Sequence, residues 1–181
     1  MIIGINGSPR KGNSFKMLNS FINGAEDKGY KVELIDACSL NISPCKECGF
    51  CSKEGVCRVK DEMDEIRSKL EDATHIAVCS PVFFFGLSAQ LKILIDRCQP
   101  LWAKKYILKK SIPEKKGYFF SAGGFSKDIT FKGGELTIKA FFDCLNAKLI
   151  EKVYALNMEY KNDIDKKKDI LEYCYNLGFN L

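Results

Sequence analysis

MIIGINGSPRKGNS, residues 1–14, decides the fold of this 181-residue chain. MIIGIN at 1–6 is a short apolar run of strand character, and Phe15, Leu18, Ile22 and Ala25 then recur on one helical face. Asn13 or Ser14 is placed to cap that helix and Gly29 to end it. A glycine-bearing turn from a buried strand into a helix aims free backbone N–H groups at one spot, where the helix dipole also favours an anion. Ser8, Asn13 and Ser14 can donate further hydrogen bonds there, and Arg10 can supply charge. The turn is neither a Walker A loop nor a dinucleotide fingerprint, since GK[ST] after four residues and G-x-G-x-x-G are both missing. A plain strand–helix turn with a capping serine is the alternative reading.

Outward from this unit the same alternation repeats. KVELIDA at 31–37 alternates as a strand, and Met63, Ile66, Leu70 and Ala73 mark a helix opened by Asp61 and Glu62, where negative charge suits the dipole. HIAVCS at 75–80 is apolar almost throughout, as suits a strand covered on both faces. One helix follows through Leu87, Leu91, Leu94, Ile95 and Cys98, then strand GYFFSA at 117–122 and a helix over 134–145. Strand KLIEKVYAL at 148–156 precedes a last helix over 163–177, with Ile170, Leu171, Cys174 and Leu177 inward. Strict β-α alternation predicts an α/β fold, a parallel sheet with helices on both faces. No linker or repeat divides the chain, so residues 1–181 read as one domain. A long loop at about 38–60 is an insertion within it, and loops of that length usually carry function.

That insertion holds Cys45, Cys48, Cys51 and Cys57 within CKECGFCSKEGVC. Spacings of two residues let one loop curl round a single centre, and sulfur ligands select zinc or iron–sulfur clusters over hard cations. A 4Fe–4S cluster takes four thiolates. Zinc ribbons instead use paired CxxC knuckles on two turns, whereas three of these cysteines follow one another evenly. Cys38, Cys79, Cys98, Cys144 and Cys174 fall mostly on apolar faces and read as core. His75 is the only histidine, so Ser-His-Asp and Cys-His mechanisms have a single candidate base; a structural or exposed role is the expectation.

The net charge is +5, with six lysines in KKYILKKSIPEKK at 104–116. A solvated face explains them, or a docking patch for an acidic partner. Nucleic-acid binding is disfavoured, because the charge is modest and no recognition motif accompanies it. No apolar run reaches membrane-spanning length, and the N-terminus lacks signal-peptide features, so no membrane insertion and a cytoplasmic location are expected.

Three segments together resemble the flavodoxin-like NAD(P)H-dependent FMN reductase superfamily. GSPRKGNS resembles its phosphate loop. Ser80-Pro81-Val82-Phe83-Phe84-Phe85-Gly86, followed by LSAQLKILIDR, resembles its second flavin loop, and Ser121-Ala122-Gly123-Gly124 its third. C-x2-C-x2-C-x5-C followed by VKDEM resembles the iron–sulfur flavoprotein branch. The likeness runs to about residue 150. Ser14 stands where the family usually has threonine and keeps the hydroxyl; Phe83 stands where an aromatic, often tyrosine, is usual and lacks the phenol.

The resemblance implies a flavodoxin-like three-layer sandwich with five parallel strands in the order 2-1-3-4-5. The FMN phosphate would sit on residues 8–15, with Ser8, Arg10, Asn13, Ser14 and Phe15 as contacts. The ring would lie between Pro81–Gly86 and Ser121–Gly124, its polar edge on main-chain groups of Val82 to Gly86. The flavin carries the hydride chemistry, so no catalytic side chain is required. NADH, NADPH or reduced ferredoxin would donate electrons to a quinone, an oxygen species or a protein acceptor, in a homodimer or homotetramer. Cys45, Cys48, Cys51 and Cys57 would hold a 4Fe–4S cluster, although superfamily relatives carry similar loops without one, their thiols lining a subunit contact. Two other classes stay open: a flavodoxin-like electron carrier with no substrate of its own, and a zinc-binding interaction module.

Overall fold

A computed structural model describes all 181 residues. Five strands form one parallel sheet: β1 (Ile2–Asn6), β2 (Val32–Asp36), β3 (His75–Pro81), β4 (Lys115–Ala122) and β5 (Ala147–Ala155), in the order β2-β1-β3-β4-β5. The expected topology is present, and strand order reverses between β1 and β3. The helices are α1 (Asn13–Asp27), α2 (Phe50–Glu54), α3 (Met63–Asp72), α4 (Ala89–Asp96), α5 (Gln99–Tyr106), α6 (Lys132–Cys144) and α7 (Lys168–Phe179), with 3-10 turns at Asp128–Phe131 and Asp163–Lys166.

Strand side chains alternate between two apolar layers, as the two-residue period of a strand requires. Ile3, Ile5, Ile76, Val78 and Phe119 pack with Met63, Ile66 and Leu70 of α3, Leu91 and Leu94 of α4, and Ile138 and Phe141 of α6. Their neighbours Ile2, Ala77, Cys79, Tyr118 and Phe120 point the other way, onto Met17, Leu18 and Phe21 of α1 and Cys174 of α7. Each central strand is thus buried on both faces, which accounts for its near-continuous apolar run.

The expected single helix over Leu87–Cys98 is two helices. Arg97 leaves α4, and α5 restarts with Pro100 in its first turn, where a missing N–H costs nothing. The apolar spacing continues across the break, so periodicity alone reads one helix. Strand β4 begins at Lys115 rather than Gly117. The Lys115 ammonium is buried and donates to the Glu71 and Ala73 carbonyls at 2.7 and 2.9 Å, capping the C-terminal end of α3. The insertion is not wholly irregular, since α2 lies inside it between Gly49 and Gly55, both with left-handed backbones (φ 69° and 71°). Cys79, Cys98, Cys144 and Cys174 are buried as expected, but Cys38 is only half-buried just beyond β2. His75 is buried, its Nδ1 2.9 Å from the Thr74 hydroxyl, and burial first, then nearby positive charge, lowers its pKa. No helix is long and apolar enough to cross a membrane.

Candidate functional site

The carboxyl ends of β1 and β3 flank the point where strand order reverses, the usual crevice for a ligand in such sheets. The chain leaves β1 through Gly7, whose amide donates to the Cys79 carbonyl at 2.8 Å. A Cβ at Gly7 would lie 2.8 Å from that oxygen and 2.9 Å from Leu91 Cβ, so the loop hugs β3 only because the residue is glycine. Asn6 braces the turn: its side-chain oxygen accepts from the Ser8 amide at 2.8 Å, and its nitrogen donates to Asp36 at 3.0 Å. The Ser8 hydroxyl accepts from the Gly12 amide at 3.2 Å. Lys11 turns the chain with a left-handed backbone (φ 46°) and pairs with Asp36 at 3.3 Å.

The N-terminus of α1 carries no side-chain cap and no acidic residue in its first turn. Its leading amides are therefore left for an external acceptor. Ser14 is 1% exposed, and its hydroxyl has no hydrogen-bond partner apart from the weakly accepting Cys79 sulfur beside it. Arg10 is exposed at the rim. Asn13 does something else: its nitrogen donates to the Tyr160 carbonyl at 2.7 Å, and its oxygen accepts from the Ile164 amide at 3.1 Å. It fastens the segment before α7 to the phosphate loop. That segment was not expected at the site. It also gives the Met158 amide to the Gly123 carbonyl at 2.9 Å and brings Lys161 against Gly12.

The two remaining loops meet at the same edge. Phe83 and Gly86 exchange backbone hydrogen bonds of 3.0 and 2.8 Å, closing a tight turn with Phe84 and Phe85 at its tip. Both tip residues have positive φ, 48° and 61°, a region that costs a bulky L-residue about 1–2 kcal/mol each. Non-glycine residues persist in such conformations where surrounding structure imposes them, and such sites cluster at ligand clamps. Phe84 is fully exposed. The expected main-chain donors of this loop are partly consumed: Val82 donates to the Ala122 carbonyl at 3.1 Å, and the amides of Phe83 and Gly86 close the turn. The amides of Phe84 and Phe85 donate to no acceptor within the chain. Below the turn the Ser80 hydroxyl accepts from the Ser88 amide at 3.0 Å, so the end of β3 is clasped to the start of α4. Gly133 of α6 fits under the turn, since a Cβ there would lie 2.3 Å from the Phe85 carbonyl.

In the third loop, Ser121 and Ala122 are buried in β4, and the Ser121 hydroxyl donates to the Ser80 carbonyl at 2.9 Å. Gly123 is tied on both sides, by its amide to Ala155 and by its carbonyl to Met158. Gly124 is exposed. Phe125, which no motif singled out, stacks on Phe85 with ring centres 5.8 Å apart and bridges the two loops expected to flank the ring.

A cavity of about 880 Å³ lies at the insertion. Cys45, Cys48, Cys51 and Cys57 all line it, with Arg58, Arg97 and Gln99. Burial raises the Cys51 pKa, and the neighbouring Cys45, Cys57 and Cys48 thiols add to that rise. They do not close on one point as ligands of a single ion would. Arg97 enters from the end of α4 and is 1% exposed. Its guanidinium donates to both Asp61 oxygens at 2.6 and 2.9 Å, to the Ser43 carbonyl at 2.7 Å, and to Cys57 Sγ at 3.7 Å. Burial pushes the Asp61 carboxyl up, but hydrogen bonds from Arg97 and from the Ser43 and Met63 amides, together with the Arg97 charge, jointly outweigh it and hold the pKa low. The donor set suits an iron–sulfur cluster by its chemistry: four thiols line one cavity, with a fixed cation beside one of them.

The profile of the NADPH-dependent FMN reductase family matches residues 1–127. The chain belongs to this family. It is 42% identical over 101 residues to an iron–sulfur flavoprotein of Methanocaldococcus jannaschii, covering 55% of this chain and 52% of that protein. It is 35% identical over 146 residues to an iron–sulfur flavoprotein of Methanosarcina thermophila, covering 80% and 72%. These likenesses put it in the iron–sulfur flavoprotein branch, although it spans only about half the length of the first relative. In fold it matches an NAD(P)H:quinone oxidoreductase from Methanothermobacter marburgensis, with TM-score 0.75, 18% identity and 99% and 95% of the two chains covered. An FMN-dependent NADH-azoreductase from Bacillus anthracis in complex with FMN matches at TM-score 0.71, 14% identity and 99% and 98% coverage.

Proposed function

We propose that residues 1–181 form one FMN-binding oxidoreductase domain, with the loop at 38–60 as an iron–sulfur insertion. The observation that carries this reading is the uncapped N-terminus of α1 beside the buried, unpartnered Ser14 hydroxyl at the reversal of strand order. The leading amides of α1, Ser8, Ser14 and the rim cation Arg10 hold the phosphate, while Phe15 packs beside it. Asn13 acts one step removed, by holding the 160–164 segment against the loop.

Pro81–Gly86 and Ala122–Gly124 bound the ring. Phe84 and Phe85 present their free amides at the tip of the strained turn, and Ser80 and Ser121 hold the two loops from beneath. The FMN, when bound, supplies the hydride and single-electron chemistry. The chain's residues bind it, orient it and keep water from one face.

Cys45, Cys48, Cys51 and Cys57 hold a 4Fe–4S cluster, which passes electrons singly. The relatives named iron–sulfur flavoprotein support this assignment. NADH, NADPH or reduced ferredoxin is the donor, and a quinone, an oxygen species or a protein is the acceptor. The exposed tip at Phe84 is the surface that a second copy of the chain would cover.

Anaerobic purification followed by a visible spectrum and iron and sulfide analysis tests both cofactors. The expected outcome is one FMN and about four irons per chain. A colourless protein that also fails to bind added FMN overturns the reading. Zinc near one per chain without flavin would put the interaction module in its place.

A further inference from the structure

Arg97 is the largest fully buried side chain in the molecule, and the flavin site makes no use of it. Its contacts fall on the two stems of the cysteine loop. Ser43 lies before the first cysteine; Val59, whose carbonyl accepts at 3.4 Å, and Asp61 lie after the last. Asp61 in turn accepts from the Ser43 amide at 3.2 Å and the Met63 amide at 3.1 Å, so carboxylate and guanidinium together close the loop at its neck. The fork also reaches sulfur, with Nη2 3.7 Å from Cys57 Sγ. None of the other three cysteines receives a hydrogen bond from a charged side chain. Arg97 has a rigid planar fork that grips both Asp61 oxygens while still reaching Ser43 and Cys57, a geometry the point charge of a lysine does not reproduce.

From this geometry we propose that Arg97 is the positioning residue of the cysteine loop: it joins both stems through Asp61 and Ser43 and fixes the Cys57 sulfur, and its charge, as the fourth ligand of the cluster. The proposal rests on the reading of the loop as an iron–sulfur site. A cation and a hydrogen bond at a ligand sulfur favour the reduced, more negative form of a cluster and raise its potential. Arg97 therefore acts on the loop in two ways, by holding its shape without metal and by setting its potential with metal.

Three proteins test this: wild type, Arg97→Lys and Arg97→Met, each with FMN binding as the check that the sheet and helices are intact. In the metal-free chains, alkylation by iodoacetamide is followed cysteine by cysteine with mass spectrometry. At a pH high enough to ionise every thiol, so that loss of the Arg97 charge does not itself slow the reaction, Cys57 is expected to react several-fold faster in both variants, while Cys45 and Cys48, already exposed, change less than twofold. General loosening would instead raise all four. After anaerobic reconstitution, both variants are expected to retain less iron and sulfide than wild type, and the cluster that remains in Arg97→Met to have a more negative midpoint potential. Unchanged Cys57 alkylation in Arg97→Met, or iron content and potential equal to wild type, overturns the role of Arg97. A wild-type chain that takes up no iron or sulfide overturns the cluster assignment itself, whatever the alkylation pattern. Should Arg97→Met not bind FMN, Arg97→Lys and Asp61→Asn give the same alkylation readout, with the same two outcomes.

Discussion

Replacing Ser14 with alanine and Asn13 with alanine should have opposite effects, although the residues are neighbours in one loop. The Ser14 hydroxyl is buried and unpartnered by any nitrogen or oxygen. Deleting it removes a desolvated group and nothing else, so Ser14→Ala apoprotein should be as stable as wild type or about 1 kcal/mol more stable. Against the phosphate, the same deletion loses a hydrogen bond to a charged group, about 1.5–3 kcal/mol, or roughly 10- to 140-fold in the FMN dissociation constant. Asn13→Ala loses the bonds to Tyr160 and Ile164, and Ile164 is fully buried, so its amide is left without an acceptor. One net hydrogen bond plus one orphaned donor comes to about 2–4 kcal/mol of apoprotein stability. Urea denaturation of the two apoproteins and flavin-fluorescence titration of the folded proteins measure the two effects. Ser14→Ala binding FMN within twofold of wild type, or Asn13→Ala unfolding at the wild-type urea midpoint, would refute the reasoning.

Phe84→Asn should relieve the left-handed backbone at a fully exposed position and raise stability by about 1 kcal/mol, read as a higher melting temperature. Gly133→Ala drives a methyl toward the Phe85 carbonyl, so the turn must shift; a cost of about 1–3 kcal/mol is expected, with weaker flavin binding by fluorescence titration. Glu135 has its pKa held down at about 2 by hydrogen bonds from Lys139, Lys152 and Tyr154. A depressed carboxyl stabilises the fold above its unfolded pKa of about 4.3 and loses that contribution as pH falls toward 2. Glu135→Gln should therefore flatten the acid limb of a stability–pH curve between about pH 4.5 and 2, by roughly 1–3 kcal/mol; an unchanged limb counts against the ion-pair cluster.

The sheet was legible because each strand declares itself by an apolar run and each connection by a helical stripe. The loop of residues 7–14 announced an anion site because strand, glycine and helix start follow one another. What stayed hidden was every contact made across the chain. Asn13 carries the residue type of a phosphate donor, yet its partners lie 147 and 151 positions away. The Ser121 hydroxyl belongs to Ser80 for the same reason. The break after Arg97 interrupts no apolar spacing, and an arginine in sequence reads as surface until Asp61 is found beside it. Phe125 lies in a polar loop without pattern, and only the fold brings its ring to Phe85.

Helix α4 connects these regions, clasped by Ser80 at its first turn and ending in Arg97 at its last. Its eight residues span about 12 Å, and each residue turns the axis by about 100°. Inserting or deleting a single residue there would swing Arg97 away from the cysteine loop while leaving Ser88 in place. The phase of this helix is therefore constrained at both ends, whereas the residues on its outer face are free to vary.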